Sequence, residues 1–241
     1  MISNNEIKQL RALQNRKFRD ETGLFIVEGE KMVAEALASD FTVEKVYRRD
    51  EIGAEAMSRI SSLSSPSPVL AVLRQKPAMS LDEIARMIQP GMLALGLDSV
   101  RDPGNLGTIV RLSDWFGIDV VFASRDTVEL YNPKVVQSTM GAIFRKKVIY
   151  CDLVEVSKIF ASKGLPVFGT FLEGENIYHK ELSTDGLIVM GNEANGISDS
   201  MKKQVSEKLF IPPFPGDQPT AESLNVAIAT AICVSEFRRR M

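Results

Sequence analysis

The 241-residue sequence has few of the side chains that usually bind metals or form disulfides, since it contains two cysteines and one histidine. His179 alone cannot build a histidine-rich zinc site. Apolar residues flank Cys151 and Cys233, which predicts two buried, unpaired thiols. No stretch reaches about 18 uninterrupted apolar residues, the length that a membrane-spanning helix needs. We therefore expect no metal, no membrane partner and a cytoplasmic location.

A large net charge is also absent, because 29 Lys and Arg side chains stand against 31 Asp and Glu, a net charge of −2. The chain as a whole is therefore not a polybasic nucleic-acid binder, and any basic surface must be local. The first twenty residues are such an exception, with apolar residues at helical spacing and an excess of cations. These are Lys8, Arg11, Arg16, Lys17 and Arg19, against Glu6 and Asp20. The pattern predicts a basic amphipathic helix, which could equally be an ordinary solvated face.

Hydrophobic and charged residues make up 44% and 25% of the chain, as in an ordinary globular protein. Pro90-Gly91 marks a boundary between two predicted domains, 1–89 and 90–241. The second alternates helical patterns with short apolar runs, which is typical of a parallel α/β sheet covered on both faces. These runs are 93–97, 119–123, 166–171, 187–190 and 209–212. In the first domain we predict strands at 24–29 and 43–49 and a helix at 30–39, and a Ser/Pro turn region precedes a short apolar run at 69–73.

Three polar, glycine-rich loops follow predicted strands of the second domain, at 98–111, 191–198 and 213–225. Carboxyl ends of parallel strands share one sheet edge, so the loops are expected to form one pocket. None contains the GxxxxGK[ST] or GxGxxG pattern of nucleotide-binding loops. In the first loop we expect Asn105 to cap a helix that starts at Leu106. Arg111 falls about 200° around that helix from the apolar stripe, so it points outward.

The other two loops place polar side chains beside glycines or a helix start. Glu193 lies between Gly191 and Gly196, where the backbone can approach a ligand closely. Ser223 and Asn225 are expected in the first turn of a terminal helix, where free N–H groups favour a polar ligand. That helix carries alanines at 227, 229 and 231, small enough for a partner helix to approach. Each feature alone also fits an ordinary turn, cap or solvated face.

In order and spacing, these loops resemble the three signature motifs of the SpoU-type (TrmH-like) RNA ribose 2′-O-methyltransferases of the SPOUT superfamily. The matching segments are DPGNLGTIVR, IVMGNEANGIS and IPPFPGDQPTAESLNVAIATAI. The upstream segment GLFIVEGEKMVAEAL is similar to that family's N-terminal substrate-binding domain. The resemblance covers nearly the whole chain.

The resemblance implies a trefoil-knotted α/β methyltransferase domain, an exception to the general absence of knots, behind a smaller α/β RNA-binding domain. It implies transfer of a methyl group from S-adenosylmethionine to a ribose 2′-hydroxyl of ribosomal or transfer RNA, by a homodimer paired through the C-terminal domain. The cofactor would be held largely by backbone near Gly169, Thr170, Gly191, Ile211 and Leu224. The catalytic set would be Asn105, Arg111, Glu193, Ser223 and Asn225, with Arg111 next to the ribose hydroxyl.

The sequence departs from the family pattern at three places. The stretch 212–220 is longer than the usual turn, Ala194-Asn195 stands where a glycine and a basic residue are common, and 137–139 lacks an expected arginine. The last two departures remove charge near the expected RNA path. Two alternatives therefore stay open: an RNA-binding protein of the same fold without activity, and a methyltransferase for a small nucleoside-like substrate.

Overall fold

The computed structural model describes residues 2–216 and 221–239, which divide into two compact units. Unit 1 comprises Met1–Pro77 and Glu129–Arg145, and unit 2 comprises Ala78–Val128 and Lys146–Met241. The segment 129–145 therefore folds with unit 1, although it lies in the middle of the second predicted domain. The functional boundary between residues 89 and 90 stays a prediction.

Within the described residues the backbone forms helices and strands in alternation. The helices are α1 Asn4–Ala12, α2 Arg16–Thr22, α3 Glu30–Leu37, α4 Arg49–Ile52, α5 Ala54–Ile60, α6 Leu81–Met87, α7 Pro103–Trp115, α8 Pro133–Ser138, α9 Leu153–Ser162, α10 Asp199–Lys202 and α11 Val226–Arg239. The strands are β1 Leu24–Glu28, β2 Val43–Arg48, β3 Val69–Arg74, β4 Leu93–Leu97, β5 Val120–Ser124, β6 Lys147–Cys151, β7 Val167–Phe171, β8 Glu175–Asn176, β9 Gly186–Met190 and β10 Glu207–Phe210.

Unit 1 contains a three-stranded antiparallel sheet in the order β1-β3-β2, with Phe25 opposite Leu73. One group of apolar side chains of this sheet packs with those of α1 and α5, since Ile7, Leu10, Met57, Ile60 and Leu70 share one buried cluster. The strands β1 and β2 and the helix α3 agree with the sequence prediction, and the apolar run at 69–73 forms β3.

The basic N-terminal segment forms two helices, which corrects the prediction of one. The first helix ends at Ala12 with Leu13 as its C-cap, and the side chain of Asn15 accepts a hydrogen bond from the Lys17 N–H and starts α2. Arg19 is also not part of a solvated face. Its side chain is 2% exposed, donates to both carboxylate oxygens of Glu129 at 2.8 and 2.6 Å, and donates to the Leu13 carbonyl.

Segment 129–145 is held to unit 1 by further contacts. Its Tyr131 ring lies 4.5 Å from the Phe25 ring, and its Phe144 ring lies 5.6 Å from that of Phe41. Arg145 forms an ion pair with Glu35 on α3. These partners are distant in sequence, so no local pattern could have assigned the segment to unit 1.

Unit 2 contains a seven-stranded sheet in the order β6-β5-β4-β9-β7-β10-β8. Every strand pairing in it is parallel, which confirms the predicted α/β architecture. The central strands β4 and β9 are buried along their whole length. The prediction missed β6, whose sequence KVIYC mixes polar and apolar residues and has two side chains only half-buried.

Both cysteines are free and buried, as predicted. Burial raises the pKa of each thiol to about 12, so both stay protonated near neutral pH. None of the helices in the described part of the chain is long and apolar enough to cross a bilayer.

Candidate functional site

Loops after β4, β9 and β10 meet at the carboxyl edge of the unit 2 sheet. β4 and β9 are neighbours, and β7 alone separates β9 from β10. The three polar loops predicted from the sequence leave these strands, so the fold brings them to one side of the sheet. Direct contacts between the loops show how closely they approach.

Three side chains, one from each loop, form a continuous chain of hydrogen bonds. The Asn105 amide donates to a Glu193 carboxylate oxygen at 2.9 Å, and the Asn225 amide donates to the Asn105 carbonyl oxygen at 2.9 Å. The Asn225 carbonyl oxygen accepts from the Ala227 N–H at 2.9 Å and the Ile228 N–H at 3.3 Å, which caps α11. Each amide thus has its donor and acceptor ends fixed, and the three loops are tied together.

Asn105 does not cap α7, which corrects the sequence prediction. The helix begins at Pro103, and the Asp102 side chain accepts from the Asn105 N–H at 2.8 Å in the capping position. Pro103 suits this start, because proline has no N–H to leave unsatisfied at the first helical position. Since Asp102 serves as the cap, the Asn105 side chain is free to reach Glu193 and Asn225.

Glu193 is held as an ionised carboxylate. Partial burial alone would raise its pKa, but hydrogen bonds outweigh burial and lower the pKa below its usual range. The donors include the Asn105 amide and the backbone N–H groups of Asp102 at 3.2 Å and Arg101 at 3.3 Å. A carboxylate that accepts several N–H groups is stabilised in its charged form. Glu193 therefore joins the loop after β9 to the start of α7.

We expect this contact to survive mild acid. Because the folded-state pKa of Glu193 is lowered, the stabilisation is fully present above the unfolded-state value, about 4.3, and is lost as pH falls through the folded-state pKa. The carbon-13 shift of the Glu193 carboxyl, followed from pH 7 to pH 3, should have its midpoint below about 4.3. A midpoint above 4.3 contradicts the assignment.

Glu193→Ala should lower activity roughly tenfold, the scale of one charge-assisted hydrogen bond. Glu181→Ala, which changes an exposed glutamate, should leave activity unchanged.

The structure places the other two predicted catalytic residues outside this hydrogen-bonded chain. Ser223 is exposed and precedes α11, which begins at Val226, so it is not in the first helical turn as predicted. Arg111 is exposed on α7, two residues after the fully buried Ile109, as the periodicity predicted. Among the described residues Arg111 has no hydrogen-bond or ion-pair partner, so its guanidinium is free to meet a ligand.

Four of the five predicted cofactor residues lie within or directly after three neighbouring strands. Gly169 and Thr170 are in β7, Gly191 follows β9, and Ile211 follows β10. The Thr170 hydroxyl donates to the Val189 carbonyl at 3.2 Å and so links β7 to β9. The fifth, Leu224, lies before α11 and is half exposed. Of the long stretch 212–220, residues 217–220 lie outside the described residues.

Gly191 leaves no room for a side chain. A Cβ atom there would lie 2.3 Å from the Gly196 carbonyl carbon and from the Ile197 nitrogen. The ends of the loop 191–197 therefore touch, and mutual hydrogen bonds of 2.9 Å between Asn192 and Gly196 close it. A glycine-bounded turn of this kind exposes backbone polar groups to a ligand.

Sequence reasoning missed Asn192, which positions Glu193. Its amide donates to the Ser99 carbonyl at 2.6 Å, and its side-chain oxygen accepts from the N–H groups of Ala194 and Asn195 at 3.0 Å. The signal was an asparagine directly after a strand-ending glycine, a position that favours a turn closed by the side chain.

Comparison with known proteins gives matches over the whole chain. Residues 92–235 match the SpoU rRNA Methylase family and residues 4–77 match the MRM3-like substrate binding domain. The 23S rRNA (guanosine(2553)-2'-O)-methyltransferase RlmP of Bacillus subtilis is 28% identical over 98% of this chain and 96% of its own length. A TrmH-family protein from Porphyromonas gingivalis has a TM-score of 0.87 and 35% identity over both full chains. An AdoMet-bound rRNA methyltransferase from Sinorhizobium meliloti has a TM-score of 0.88 and 28% identity, covering 100% of this chain and 97% of its own.

Proposed function

The chain belongs to the SpoU rRNA methylase family and is an S-adenosylmethionine-dependent RNA ribose 2′-O-methyltransferase, and we propose that its substrate is 23S ribosomal RNA. The main support for this substrate is the extent of the match to the Bacillus subtilis enzyme, which includes unit 1 as well as unit 2. Residues 4–77 also match a substrate-binding domain, and α1 and α2 carry exposed cations such as Lys8, Arg11 and Lys17. Unit 1 would then bind RNA in the cytoplasm, and unit 2 would hold the cofactor.

The residues at the carboxyl edge suit S-adenosylmethionine in their chemistry. Gly191 exposes backbone directly after β9, Gly169 is a buried position of β7 with no room for a side chain, and Ile211 and Leu224 offer apolar contacts. The ionised Glu193 is two residues from Gly191, and its charge complements a cationic sulfonium. We include the trefoil knot of the C-terminal domain in the proposal, supported by the position of β9 between β4 and β7.

S-adenosylmethionine supplies an electrophilic methyl group when it is bound. The chain must then orient the ribose hydroxyl and stabilise the charge that develops on its oxygen. Arg111 suits this role, because its guanidinium is permanently charged and can bind an oxyanion and an RNA phosphate together. It is a poor proton acceptor, since a guanidinium has five N–H donors and no acceptor. The chain from Glu193 through Asn105 to Asn225 would hold the start of α7, and with it the helix that carries Arg111.

Methylation mapping tests the substrate. Ribosomal and transfer RNA from cells with and without the gene are compared for 2′-O-methylated nucleotides, and the purified enzyme is then added to the unmodified RNA. We expect one site in 23S rRNA to lose its methyl group in the cells and to regain it with the enzyme. Loss confined to transfer RNA would overturn the rRNA substrate and keep the reaction.

We also propose a homodimer paired through unit 2. Helices α7 and α11 pack together and leave large apolar side chains in solvent, with Trp115 84% exposed and Ile228 53% exposed. Ala229 and Ala231 are half-buried beside Ile228, whereas Ala227, only 4% exposed, packs inside its own chain and cannot meet a partner. Exposed apolar patches of this kind mark association surfaces.

Ile228→Glu should convert the dimer to a monomer. In the dimer the introduced carboxylate would be buried without a partner. The free-energy cost of that burial exceeds the contribution of one apolar contact to association. Light scattering at micromolar concentration should give the mass of two chains for the wild type and of one for Ile228→Glu. Leu81→Glu is the control, since Leu81 is an exposed apolar residue elsewhere in unit 2, and this variant should stay dimeric. A wild-type mass of one chain contradicts the dimer.

A further inference from the structure

A cavity lies at the carboxyl edge of the unit 2 sheet. It has a volume of about 400 Å³ and is lined by residues at the ends of β4, β5 and β6 and by residues within 198–201, which follow β9. Small-molecule sites usually span about 300–1,000 Å³, so the cavity has room for a nucleobase. Its lining includes three charged side chains, Asp98, Arg125 and Asp152.

Asp98 is a buried carboxylate with an unused oxygen. Its residue is 5% exposed, and one oxygen accepts from the Ser198 N–H at 2.6 Å. The other oxygen has no partner among the described residues, although Asp98 lines the cavity. A buried carboxylate is costly unless donors surround it. The cavity therefore favours a ligand that brings N–H donors to Asp98.

Asp152 and Arg125 also have unused polar groups at the cavity. One Asp152 oxygen caps α9, accepting from the Val154 N–H at 3.0 Å and the Glu155 N–H at 3.2 Å, and the other is unpartnered within the described residues. Arg125 is exposed and, in the part of the chain that the structure describes, forms no hydrogen bond or ion pair. Two carboxylates, of Asp98 and Asp152, and one guanidinium, of Arg125, thus line the same cavity.

The remaining lining combines apolar side chains with three serines, Ser124, Ser198 and Ser200. Leu153 and Met201 are 3% and 1% exposed, and the Cys151 thiol stays neutral because burial raises its pKa to about 12. Small-molecule sites usually combine apolar contact area with convergent polar groups, and both are present in this lining.

The cavity and the Asn105–Glu193–Asn225 chain share two loops, those after β4 and β9. Asp98 holds Ser198 at the end of the loop after β9, and Asn192 of that loop holds the Ser99 carbonyl at 2.6 Å. Asn192 is also the neighbour of Glu193. These hydrogen bonds link the cavity to the loop that carries Glu193.

We propose that this cavity binds the base of the nucleotide whose ribose is methylated, and that this base is guanine; the inference rests on the proposed function. RNA-modifying enzymes commonly bind a target base that is turned out of its stack and contact its Watson–Crick edge. Guanine presents two adjacent donor groups there, N1–H and N2–H₂, which match the two carboxylates. Its O6 and N7 accept from arginine. Adenine and cytosine present an acceptor nitrogen at the position of the N1–H, and uracil presents a single donor.

Two substitutions test the cavity without removing its structural contacts. Asp152→Asn keeps the helix cap, because asparagine caps helices as well as aspartate, but loses the carboxylate. Arg125→Ala removes a side chain with no described partner. Each should lower kcat/KM for methylation of unmodified 23S rRNA roughly 10- to 100-fold, the scale of one specific base contact. The affinity for S-adenosylhomocysteine should stay within twofold. The exposed controls Glu181→Gln and Lys147→Ala should match the wild type.

The mapped target nucleotide gives the second test. It should be guanosine, and inosine at that position, which lacks the N2 amino group, should be methylated more slowly by the wild type. The same replacement should have a smaller effect in Asp152→Asn, since that variant has already lost the contact. A pyrimidine target, or normal kcat/KM in both variants, overturns the proposal. A third outcome also overturns it. If Mg²⁺ alone raises the Tm of the wild type, and Asp152→Asn abolishes this rise while methylation stays normal, the cavity binds a cation and not the base. A wild type that methylates no RNA overturns the proposed function itself.

Discussion

Arg111→Ala should lower the rate of methyl transfer roughly 10²–10³-fold, the scale for loss of one preorganised donor to an oxyanion. Arg111 is exposed on α7 and has no described partner inside the protein. Its loss should therefore change the free energy of unfolding by only about ±0.5 kcal/mol, as for an ordinary surface substitution. The affinity for S-adenosylhomocysteine should stay close to wild type, because the predicted cofactor residues lie in other elements.

Arg111→Lys separates charge from geometry. An ammonium cannot bind two oxygens in the fork geometry of a guanidinium, so we expect little recovery of the rate. Arg86→Ala is the matched control, since Arg86 is also an exposed arginine on a helix of unit 2. Single-turnover transfer of labelled methyl groups to unmodified RNA, with cofactor titration of each variant, gives both quantities. Wild-type rates in Arg111→Ala would show that Arg111 is an ordinary surface residue.

Gly191→Ala should weaken S-adenosylhomocysteine binding about 100-fold. The added Cβ would lie 2.3 Å from backbone atoms of Gly196 and Ile197, which cannot move aside as a flexible side chain can. Overpacking of this kind costs about 3 kcal/mol at the upper end of its usual range, equivalent to that change in affinity. We expect the loop 191–197 to open and to displace Glu193 from Asn105.

Gly96→Ala is the matched control. Gly96 is in β4 of the same sheet, but a Cβ there would meet only side-chain methyl groups at 3.3 to 3.4 Å. Its S-adenosylhomocysteine affinity should stay within a fewfold of wild type. Calorimetric titration measures both variants, and thermal unfolding shows whether each is folded at the titration temperature. Folded Gly191→Ala with normal affinity would exclude the loop from the cofactor site.

The architecture of unit 2 could be predicted because its central strands are buried on both faces. Near-continuous apolar runs such as 93–97 and 187–190 leave few alternatives, and both became fully buried strands. The strand β6 was missed because Lys147 at its start is exposed and Tyr150 is only half-buried. Edge strands of this kind carry a weaker pattern than central ones.

The candidate site could be predicted in its residues but only partly in its local geometry. Asn105, Glu193 and Asn225 come together as the loop positions required. The helix starts were wrong in detail: Asp102 caps α7, and Ser223 lies before α11. Asp and Asn three residues apart are both good capping residues, and sequence alone could not decide between them.

Tertiary contacts explain what the sequence could not predict. Segment 129–145 joins unit 1 through Glu129 and through aromatic contacts with Phe25 and Phe41, none of which is local. Arg19 belongs to a basic pattern but is buried by that same segment. The cavity at Asp98 arises from four separate loops, so it is visible only after the strands are placed in order.

Transfer of a labelled methyl group tests the reaction most directly. The wild-type protein is incubated with methyl-labelled S-adenosylmethionine and ribosomal RNA from cells without the gene, and the RNA is digested to nucleosides and separated by mass. We expect the label in a 2′-O-methylnucleoside, with about one S-adenosylhomocysteine bound per chain in a parallel titration. Label on a base, or no transfer together with no S-adenosylhomocysteine binding at millimolar concentration, would contradict ribose methylation at this site.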